Sequence, residues 1–367
     1  MQITSITIAK LKIPLQRPFI TALRSTTHVE DIVVMLKTDS DLIGYGSAAA
    51  TPAITGETHE SIISAIQHII APKILGKNID EFNNLLIMCQ QLLHNNYSAK
   101  AAVDIALHDL FAQKCHLPLY KMLGGNKNTL ESCVTVSVKN VRSMVDDAIN
   151  LVQSGFKTLK VKVGLNPEDD IERVFEIYRS VGDQVKIILD ANQGWSCKDA
   201  LKVIREFEQA KLNISLIEQP VIAQDLTSLA LISNTVMFPI IADEACFSPP
   251  DALTIAKFNA SDGINIKLMK AGGIYNANAI YHIAQAANLS TMVGCMIESP
   301  IGVAAMGSFA ASKPNILVCD LDPLILIKEN YVMGGAQLIN NQIVLANTPG
   351  LGISGFSDGL TYICEIK

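Results

Sequence analysis

Three carboxylates lie at nearly equal intervals along the chain, each at the end of an apolar run. Asp190 follows KIIL, Glu218 follows SLI and Asp243 follows PIIA, at intervals of 28 and 25 residues. Lys162, at the end of TLKVK, lies 28 residues before the first carboxylate, and Lys267, at the end of GINIK, lies 24 residues after the last. One strand, one helix and two short loops occupy about that length, so the spacing predicts these five side chains at the same end of successive parallel strands.

The residue types indicate metal-assisted proton transfer. Three carboxylates are ligands that suit a hard divalent cation such as Mg²⁺, and the lysines beside them suit proton abstraction next to a metal-bound carboxylate. Lys160 and Lys162 share one face of their strand, as do Asn265 and Lys267, because side chains alternate along a strand. Two close ammonium groups disfavour each other's charge, so we expect a lowered pKa at one of the paired lysines. The alternative is that these acids and lysines only form ion pairs inside a barrel, and the shared register of five residues favours chemistry.

The elements that must position these residues are repeated strand–helix units. From residue 131 onward, strand-like and helix-like segments alternate. Eight strands spaced by roughly 24–28 residues predict a (β/α)₈ barrel with its active site at the carboxyl ends of the strands. The eight predicted strands are CVTVSV, TLKVKVG, KIILDA, SLIEQP, PIIADE, GINIKL, STMVGC and ILVCDLD.

The rest of the chain predicts a capping domain. Residues 1–125 begin with three strands, with the mixed segment RPFITALRSTTHVE predicted as a loop between the first two, and continue with helical patterns over 60–123. We assign residues 1–125 to an α+β capping domain with specificity loops, residues 126–323 to the barrel, and residues 324–367 to a segment that packs back on the capping domain. The fold class is therefore α/β, a modified barrel with a lid.

Composition narrows the class of partner. The chain has 367 residues, 49% of them hydrophobic and 17% charged, with a net charge of −6. Without a Lys/Arg run, neither nucleic acid nor an anionic membrane is an expected partner, and no apolar window is long enough to span a bilayer. The eight cysteines form no C-x-x-C pair, which predicts free thiols in the reducing cytoplasm and argues against zinc. The sequence leaves the oligomeric state open, a homo-oligomer included.

The K-x-K pair, the Asp–Glu–Asp series and the lysine of the sixth strand together resemble the enolase superfamily, and within it the muconate lactonizing enzyme subgroup. The resemblance runs from the first strand to PGLG and includes LDANQGW, IEQPV, ADEACF and INIKLMKAGGI. It implies one Mg²⁺ per active site, held by the three carboxylates, with two catalytic lysines. A subgroup with a histidine base is excluded, because the last histidine, His282, precedes the seventh strand. The implied metal ligands are Asp190, Glu218 and Asp243, and the implied catalytic residues are Lys162 and Lys267.

A D-x-D pair after the eighth strand, Asp320 and Asp322, resembles the pair with which dipeptide epimerases hold the α-ammonium of their substrate. The loop ITALRSTT resembles the epimerase loop whose arginine, here Arg24, pairs with a glutamate side chain. The resemblance implies an epimerase of L-Ala-D/L-Glu or related L-Ala-X dipeptides that inverts the C-terminal α-carbon by two-base proton transfer through a metal-stabilised ene-diolate. The other implied substrate-binding residues are Lys160, Thr135, Cys295 and Ile297.

Two alternatives remain open at this stage. An N-acylamino-acid racemase or an o-succinylbenzoate synthase of the same subgroup would use the same lysines, but neither needs an ammonium site. A barrel that binds a metal–carboxylate ligand without turnover belongs to a different class, and it would gain little from two buried bases. Murein-peptide recycling is the role that the resemblance implies.

Overall fold

The structure, a computed structural model, describes residues 1–21 and 25–367. An N-terminal α+β region precedes a barrel of parallel strands, and a C-terminal segment returns to the first region. The strands are β1 (Ile3–Ile20), β2 (Ser25–Thr38), β3 (Ile43–Ala49), β4 (Thr129–Glu131), β5 (Val134–Val136), β6 (Thr158–Lys162), β7 (Lys186–Asp190), β8 (Ile214–Glu218), β9 (Ile240–Ala242), β10 (Gly263–Lys267), β11 (Ser290–Gly294), β12 (Ile316–Asp320), β13 (Val332–Gly334), β14 (Gln337–Ile339), β15 (Gln342–Val344), β16 (Ile353–Phe356) and β17 (Leu360–Ile366).

Helices fill the N-terminal region and alternate with the barrel strands. A π-helical turn (Ala65–Ile70) and a 3₁₀ turn (Ile79–Glu81) interrupt the first helical stretch. Within the described part of the chain, no helix is both long enough and apolar enough to cross a membrane. The α-helices are α1 (His59–Ser64), α2 (Ala71–Ile74), α3 (Phe82–Gln91), α4 (Tyr97–Lys114), α5 (Leu119–Met122), α6 (Val141–Gln153), α7 (Pro167–Val181), α8 (Cys197–Gln209), α9 (Leu226–Ser233), α10 (Pro249–Phe258), α11 (Leu268–Ala271), α12 (Ile274–Ala286), α13 (Pro300–Ala311) and α14 (Pro323–Leu326).

The N-terminal sheet is antiparallel, with strand order β17-β1-β2-β3. A register shift between Ile8 and Ala9 changes which side chains of β1 face inward. Ile6 and Ile8 are buried just before it, and Leu11 and Ile13 are buried after it. A bulge has this effect because one extra residue reverses the alternation of side chains.

Helix α4 packs directly on this sheet because the residues on both contacting surfaces have small side chains or none. A Cβ atom at Gly46 would lie only 1.9 Å from the carbonyl oxygen of Ala102. Alanines on the helix and glycines on β3 therefore allow the two backbones to approach closely. The contact fixes α4 over the sheet, and the helix reaches from there to the barrel.

The barrel prediction is confirmed. Strands β5 to β12 form one parallel sheet in chain order, and the backbone N–H of Cys133, just before β5, donates to the carbonyl of Cys319 in β12 at 2.9 Å. That hydrogen bond joins the two ends of the sheet. The predicted return of the C-terminal segment is also confirmed, because Ile366 of β17 pairs with Ile6 of β1.

The prediction of a loop over RPFITALRSTTHVE was wrong for most of the segment. Strand β1 continues to Ile20 and β2 begins at Ser25, with Phe19 paired to Thr26 and Ile20 paired to Ser25. The two strands extend as a hairpin beyond the end of β3. Sequence alternation is weak there because the hairpin projects from the sheet and residues 16–18 are exposed.

Candidate active site

The carboxyl ends of β6 to β10 bring the predicted residues into one cluster. Lys162 pairs in register with Asp190, and Asp190 pairs with Glu218. Asp243 directly follows β9 and Lys267 ends β10. All five side chains are buried. Because parallel barrel strands end at one rim, the regular spacing in the sequence becomes adjacency in space.

Lys160 joins carboxylates from three strands. Its Nζ lies 3.0 Å from Asp190 Oδ2, 2.7 Å from Glu218 Oε2 and 2.6 Å from Asp320 Oδ2. The lysine is almost fully buried. A buried ammonium group is tolerated only when oppositely charged groups compensate for its lost hydration, and here three carboxylates do so.

Lys162 and Lys267 approach the cluster from opposite sides of the barrel mouth. They end β6 and β10, which are four strands apart in a sheet of eight. The Nζ of Lys162 lies 2.5 Å from Asp190 Oδ2, and the Nζ of Lys267 lies 2.7 Å from Asp243 Oδ2. Each lysine therefore contacts a different carboxylate, and both lysines line the same cavity.

The expected lowering of a lysine pKa does not occur at Lys160 or Lys267. Burial alone would lower the pKa of Lys160, but the negative charges of its carboxylate neighbours raise that pKa well above its usual value. The same opposition, with Asp243 and Glu218 as the dominant charges, raises the pKa of Lys267. The expectation considered only repulsion between lysines, whereas carboxylates outnumber lysines here.

Two carboxylates of the cluster, Glu218 and Glu244, have raised pKa values. Burial, followed by the charge of Asp190, raises the pKa of Glu218 to about 7. Burial and the charge of Asp243 raise the pKa of its neighbour Glu244 to about 8. The pKa values of Asp190 and Asp243 are instead lowered, because the charges of neighbouring lysines outweigh the effect of burial.

The donor set has the chemistry that suits a divalent cation, but lysine ammonium groups contact the carboxylate oxygens here, and no three acids of the described residues are arranged around a common ion position. The strand ends place more carboxylates than lysines at one rim, and a divalent cation would favour the ionised form of the acids whose pKa is raised. Glu244 Oε2 is buried and has no hydrogen-bond partner within the described residues. Asp190, Glu218 and Asp243, on three adjacent strands, could hold the ion through oxygen donors. The six acids are Asp190, Glu218, Asp243, Glu244, Asp320 and Asp322, and the four lysines are Lys160, Lys162, Lys267 and Lys270.

The two acids of the D-x-D pair have different partners. Asp320 binds Lys160, and its Oδ1 accepts a hydrogen bond from the Cys133 thiol at 3.4 Å. Asp322 accepts a hydrogen bond from the backbone N–H of Thr135 at 2.9 Å. Burial and the charge of Asp320 raise the pKa of Asp322 to about 6. Asp322 is thus a carboxylate whose ionisation a nearby cation would favour.

A cavity beside this cluster is lined by residues from both regions of the chain. The barrel supplies the lysines, the D-x-D pair and the predicted residues Thr135, Cys295 and Ile297, while the N-terminal region supplies Ile54 and the tip of the β1–β2 hairpin. The predicted ligand Arg24 lies outside the described residues. The lining residues are Phe19, Thr21, Ile54, Thr135, Lys160, Lys162, Asn192, Lys267, Cys295, Met296, Ile297, Asp320 and Asp322.

Two family profiles match this chain. One, described as Mandelate racemase / muconate lactonizing enzyme, N-terminal domain, matches residues 3–124, and the other, Enolase C-terminal domain-like, matches residues 143–356. This chain belongs to the enolase superfamily. Superfamily membership agrees with the barrel, with the lid-like N-terminal region and with the position of the cluster at the carboxyl ends of the strands.

Individual members of the superfamily resemble the chain over nearly its whole length. An L-Ala-D/L-Glu epimerase of Clostridium acetobutylicum is 45% identical over 358 residues, which are 98% of this chain and 100% of that protein. A substrate-liganded structure of the L-Ala-D/L-Glu epimerase from Bacillus subtilis has a TM-score of 0.95 at 44% identity, covering 97% of this chain and 100% of that one. The dipeptide epimerase of Enterococcus faecalis V583, complexed with Mg and L-Leu-L-Tyr, has a TM-score of 0.93 at 38% identity, covering 96% of this chain and 100% of that one.

Several supporting residues of this enolase-superfamily site were not predicted. Gln219, directly after β8, accepts hydrogen bonds from the N–H groups of Asp243 and Ala245 at 2.8 and 3.1 Å. Lys270 binds Asp243 Oδ1 at 2.7 Å and also donates to the Asp243 carbonyl. Asn192 donates to Glu244 Oε1 at 3.3 Å. The signal available in the sequence was position, because each lies within three residues of a strand-end acid or lysine.

Proposed function

We propose that this chain is a Mg²⁺-dependent dipeptide epimerase that acts on L-Ala-D/L-Glu or a related L-Ala-X dipeptide. It inverts the α-carbon of the C-terminal residue. The observation that carries the proposal is the placement of Lys162 and Lys267 on strands four apart, beside carboxylates suited to a divalent cation. The relatives named as epimerases, one of them complexed with Mg and a dipeptide, support the same reaction.

In this proposal two lysines exchange protons with the two faces of the α-carbon. Lys162 removes the α-proton of the L epimer and Lys267 delivers one from the other side, and the roles reverse for the D epimer. The ammonium group of Lys160 stabilises the negative charge that develops on the substrate carboxylate. When bound by Asp190, Glu218 and Asp243, the divalent cation polarises that carboxylate and makes the α-proton more acidic.

The contacts between lysines and carboxylates link metal binding to proton transfer in this proposal. Both proton-transfer lysines contact carboxylates that the cation would engage. Burial alone would lower the pKa of Lys267, but the charges of Asp243 and Glu218 raise it, so Lys267 would be a better base if those carboxylates ligated a cation. Proton abstraction is thereby coupled to metal binding.

The D-x-D pair is proposed to recognise the free amino terminus of the dipeptide. Asp322 lines the cavity and accepts a hydrogen bond from the backbone N–H of Thr135. Burial and the charge of Asp320 raise the pKa of Asp322 to about 6, and a substrate ammonium group would favour its ionised form. An N-acylated substrate has no such cation and would leave the carboxylate buried without a charged partner.

Selection of the substrate side chain is proposed for the lid. Phe19, Thr21 and Ile54 line the cavity from the N-terminal region, and Arg24 lies three positions after Thr21 in the sequence. We propose that Arg24 pairs with a glutamate side chain and that Thr135, Cys295 and Ile297 contact the dipeptide. The lid would also exclude water from the reacting carbon.

The proposal is tested by proton exchange in D₂O. The Mg²⁺-loaded protein is incubated with L-Ala-L-Glu, N-acetyl-L-Ala-L-Glu and N-succinyl amino acids, and the α-proton and epimer signals are followed by ¹H NMR. We expect deuterium uptake and a second epimer with the free dipeptide. The Lys162→Ala/Lys267→Ala double variant is the matched control and should show neither. Turnover only of N-succinyl amino acids would instead identify the acylamino-acid racemase, and binding without exchange would identify a non-catalytic barrel.

The biological setting follows from the substrate. We propose that this enzyme serves murein-peptide recycling in the cytoplasm, the role that its resemblance to the dipeptide epimerases implies.

A further inference from the structure

Three segments that line the active-site cavity meet at one buried joint formed by Asp31, Ser47 and Ser299. The backbone N–H of Ser299 donates to Asp31 Oδ2 at 2.7 Å. The hydroxyl groups of Ser299 and Ser47 share a hydrogen bond of 2.9 Å. All three residues are fully buried, so these contacts form away from competing water.

Two of the three residues, Asp31 and Ser47, belong to the N-terminal lid region. Asp31 pairs with Ala49, the last residue of β3, and beyond this point β1 and β2 continue alone as the projecting hairpin. The tip of that hairpin places Phe19 and Thr21 in the cavity wall. Ser47 lies two residues before the end of β3, from which the chain continues to Ile54, another lining residue. Asp31 and Ser47 thus lie where both lid segments leave the sheet.

The third residue, Ser299, belongs to the barrel. Ser299 is the N-cap of α13, and it follows the segment 295–297, all of whose residues line the cavity. No side-chain cap hydrogen bond comes from Ser299 itself. Asp31 instead supplies the acceptor from another domain, with a negative charge at the positive end of the helix. Loss of this acceptor would leave a buried N–H group without its partner.

We propose that Asp31 is a positioning residue for substrate recognition, which holds the lid hairpin and the segment 295–297 in register across the cavity. The carboxylate touches neither the metal ligands nor the two catalytic lysines. Removal of the Asp31 carboxylate should therefore weaken substrate binding and reduce the discrimination between substrate side chains. The rate of proton transfer should change little. The inference rests on the proposed function only for the identity of the substrate, because the joint itself is a property of the fold.

Asp109 on α4 provides a matched control. It is also a fully buried carboxylate of the N-terminal region, and it accepts hydrogen bonds from the backbone N–H groups of Tyr45 at 2.8 Å and Leu351 at 2.7 Å. Neither partner lines the active-site cavity. Replacing Asp109 therefore removes a comparable buried acceptor from the same domain without loosening the cavity wall.

The test compares Asp31→Ala, Asp31→Asn and Asp109→Ala by steady-state kinetics and by amide hydrogen exchange. We expect Asp31→Ala to raise KM about tenfold with kcat changed by less than about threefold, because a lost buried acceptor loosens binding geometry and not the lysines. Amide exchange should accelerate in residues 15–21, 25–30 and 295–299. Asp31→Asn retains an oxygen for Ser299 and should recover most of the wild-type KM. Asp109→Ala should lower thermal stability and leave both KM and the exchange of these segments unchanged.

Opposite results would overturn the proposal. An Asp31→Ala protein with wild-type KM and wild-type exchange in both segments would show that the joint does not position them, and so would an equal KM increase in Asp109→Ala. If Asp31→Ala does not fold, Ser47→Ala decides, with faster exchange in 295–299 expected and unchanged exchange contradicting the joint. Hydrogen exchange needs no substrate, so failure of the dipeptide assignment alone would leave the exchange result intact.

Discussion

Lys160 on β6 and Asp320 on β12 form an ion pair, with 2.6 Å between Nζ and Oδ2, although β5 lies between their strands. The charge of Asp320 is therefore already compensated by the ammonium group of Lys160. Asp322, two residues later, instead accepts a hydrogen bond from the backbone of Thr135. The two acids of the D-x-D pair therefore differ in their partners, and in our proposal Asp320 orients Lys160 whereas Asp322 binds the substrate ammonium group.

This difference predicts separate phenotypes for the two acids. Asp322→Asn should lower kcat/KM for L-Ala-L-Glu on the order of a hundredfold, because the substrate ammonium loses its charged partner. Its preference for the free over the N-acetylated dipeptide should nearly disappear. Asp320→Asn should mainly lower kcat through misplacement of Lys160. Steady-state kinetics with both dipeptides measure this, and an Asp322→Asn enzyme that still discriminates strongly would remove the ammonium site from Asp322.

The opposed lysines predict a stereochemical split. Lys267→Ala should still exchange the α-proton of the L epimer with D₂O through Lys162, but it should not form the D epimer. Lys162→Ala should show the converse, with exchange only from the D epimer. Each variant is assayed with each pure epimer by ¹H NMR, and the other variant is its control. Equal residual exchange of both epimers in both variants would indicate a single base.

The acidic cluster predicts dependence on a divalent cation. Chelation with EDTA should abolish epimerisation and Mg²⁺ should restore it. Asp190→Asn, Glu218→Gln and Asp243→Asn should each bind Mg²⁺ more than about tenfold more weakly in calorimetry, because each removes one charged oxygen ligand. Glu81→Gln, a remote acid, serves as the control. Full activity after complete chelation would contradict the mechanism.

The position of Asp322 predicts an acid limb in the pH profile. Its pKa is raised to about 6 by burial and by Asp320. A protonated Asp322 cannot neutralise an ammonium group, so at saturating Mg²⁺ kcat/KM for a free dipeptide should fall as the pH drops through about 6. The profile is measured between about pH 5 and pH 8. Persistence of the same limb in Asp322→Asn would assign it to another group.

Arg24 carries the preference for glutamate in our proposal. Arg24→Met should lower turnover of L-Ala-L-Glu and spare L-Ala-X substrates with apolar X, because only a carboxylate side chain needs the guanidinium. Competition assays with mixed dipeptides give the ratio of kcat/KM values directly. Arg17→Met, on the exposed part of the same hairpin, is the control. An equal loss with every dipeptide would assign Arg24 to loop closure.

Much of the barrel was predictable because its rules are local and repeated. An apolar run that ends in a charged residue predicts a strand end, and equal spacing places successive ends at one rim. The positions of Lys162, Asp190 and Glu218 follow from this pattern alone. Lys160 was placed on the correct face by alternation within one strand.

The features that were missed depend on contacts between distant parts of the chain. The pairing of Lys160 with Asp320 requires the two ends of the sheet to meet, which no local pattern encodes. The lysine pKa direction depends on the number of acids that the fold gathers, not on the K-x-K spacing. The extension of β1 to Ile20 is stabilised by pairing with β2 over the barrel mouth, where one face of each strand is exposed and alternation is weak.

The pairing of Ile6 with Ile366 has a consequence for biosynthesis. The two residues are 360 positions apart. The edge of β1 that pairs with β17 therefore remains unpaired until every βα unit has been translated. At the usual ~5–20 residues per second, that interval is about 20–70 s. During it the nascent chain presents a long apolar strand with unpaired N–H and C=O groups, a template for pairing with other chains. The lid sheet is therefore the part of this enzyme for which a chaperone at the ribosome would matter most.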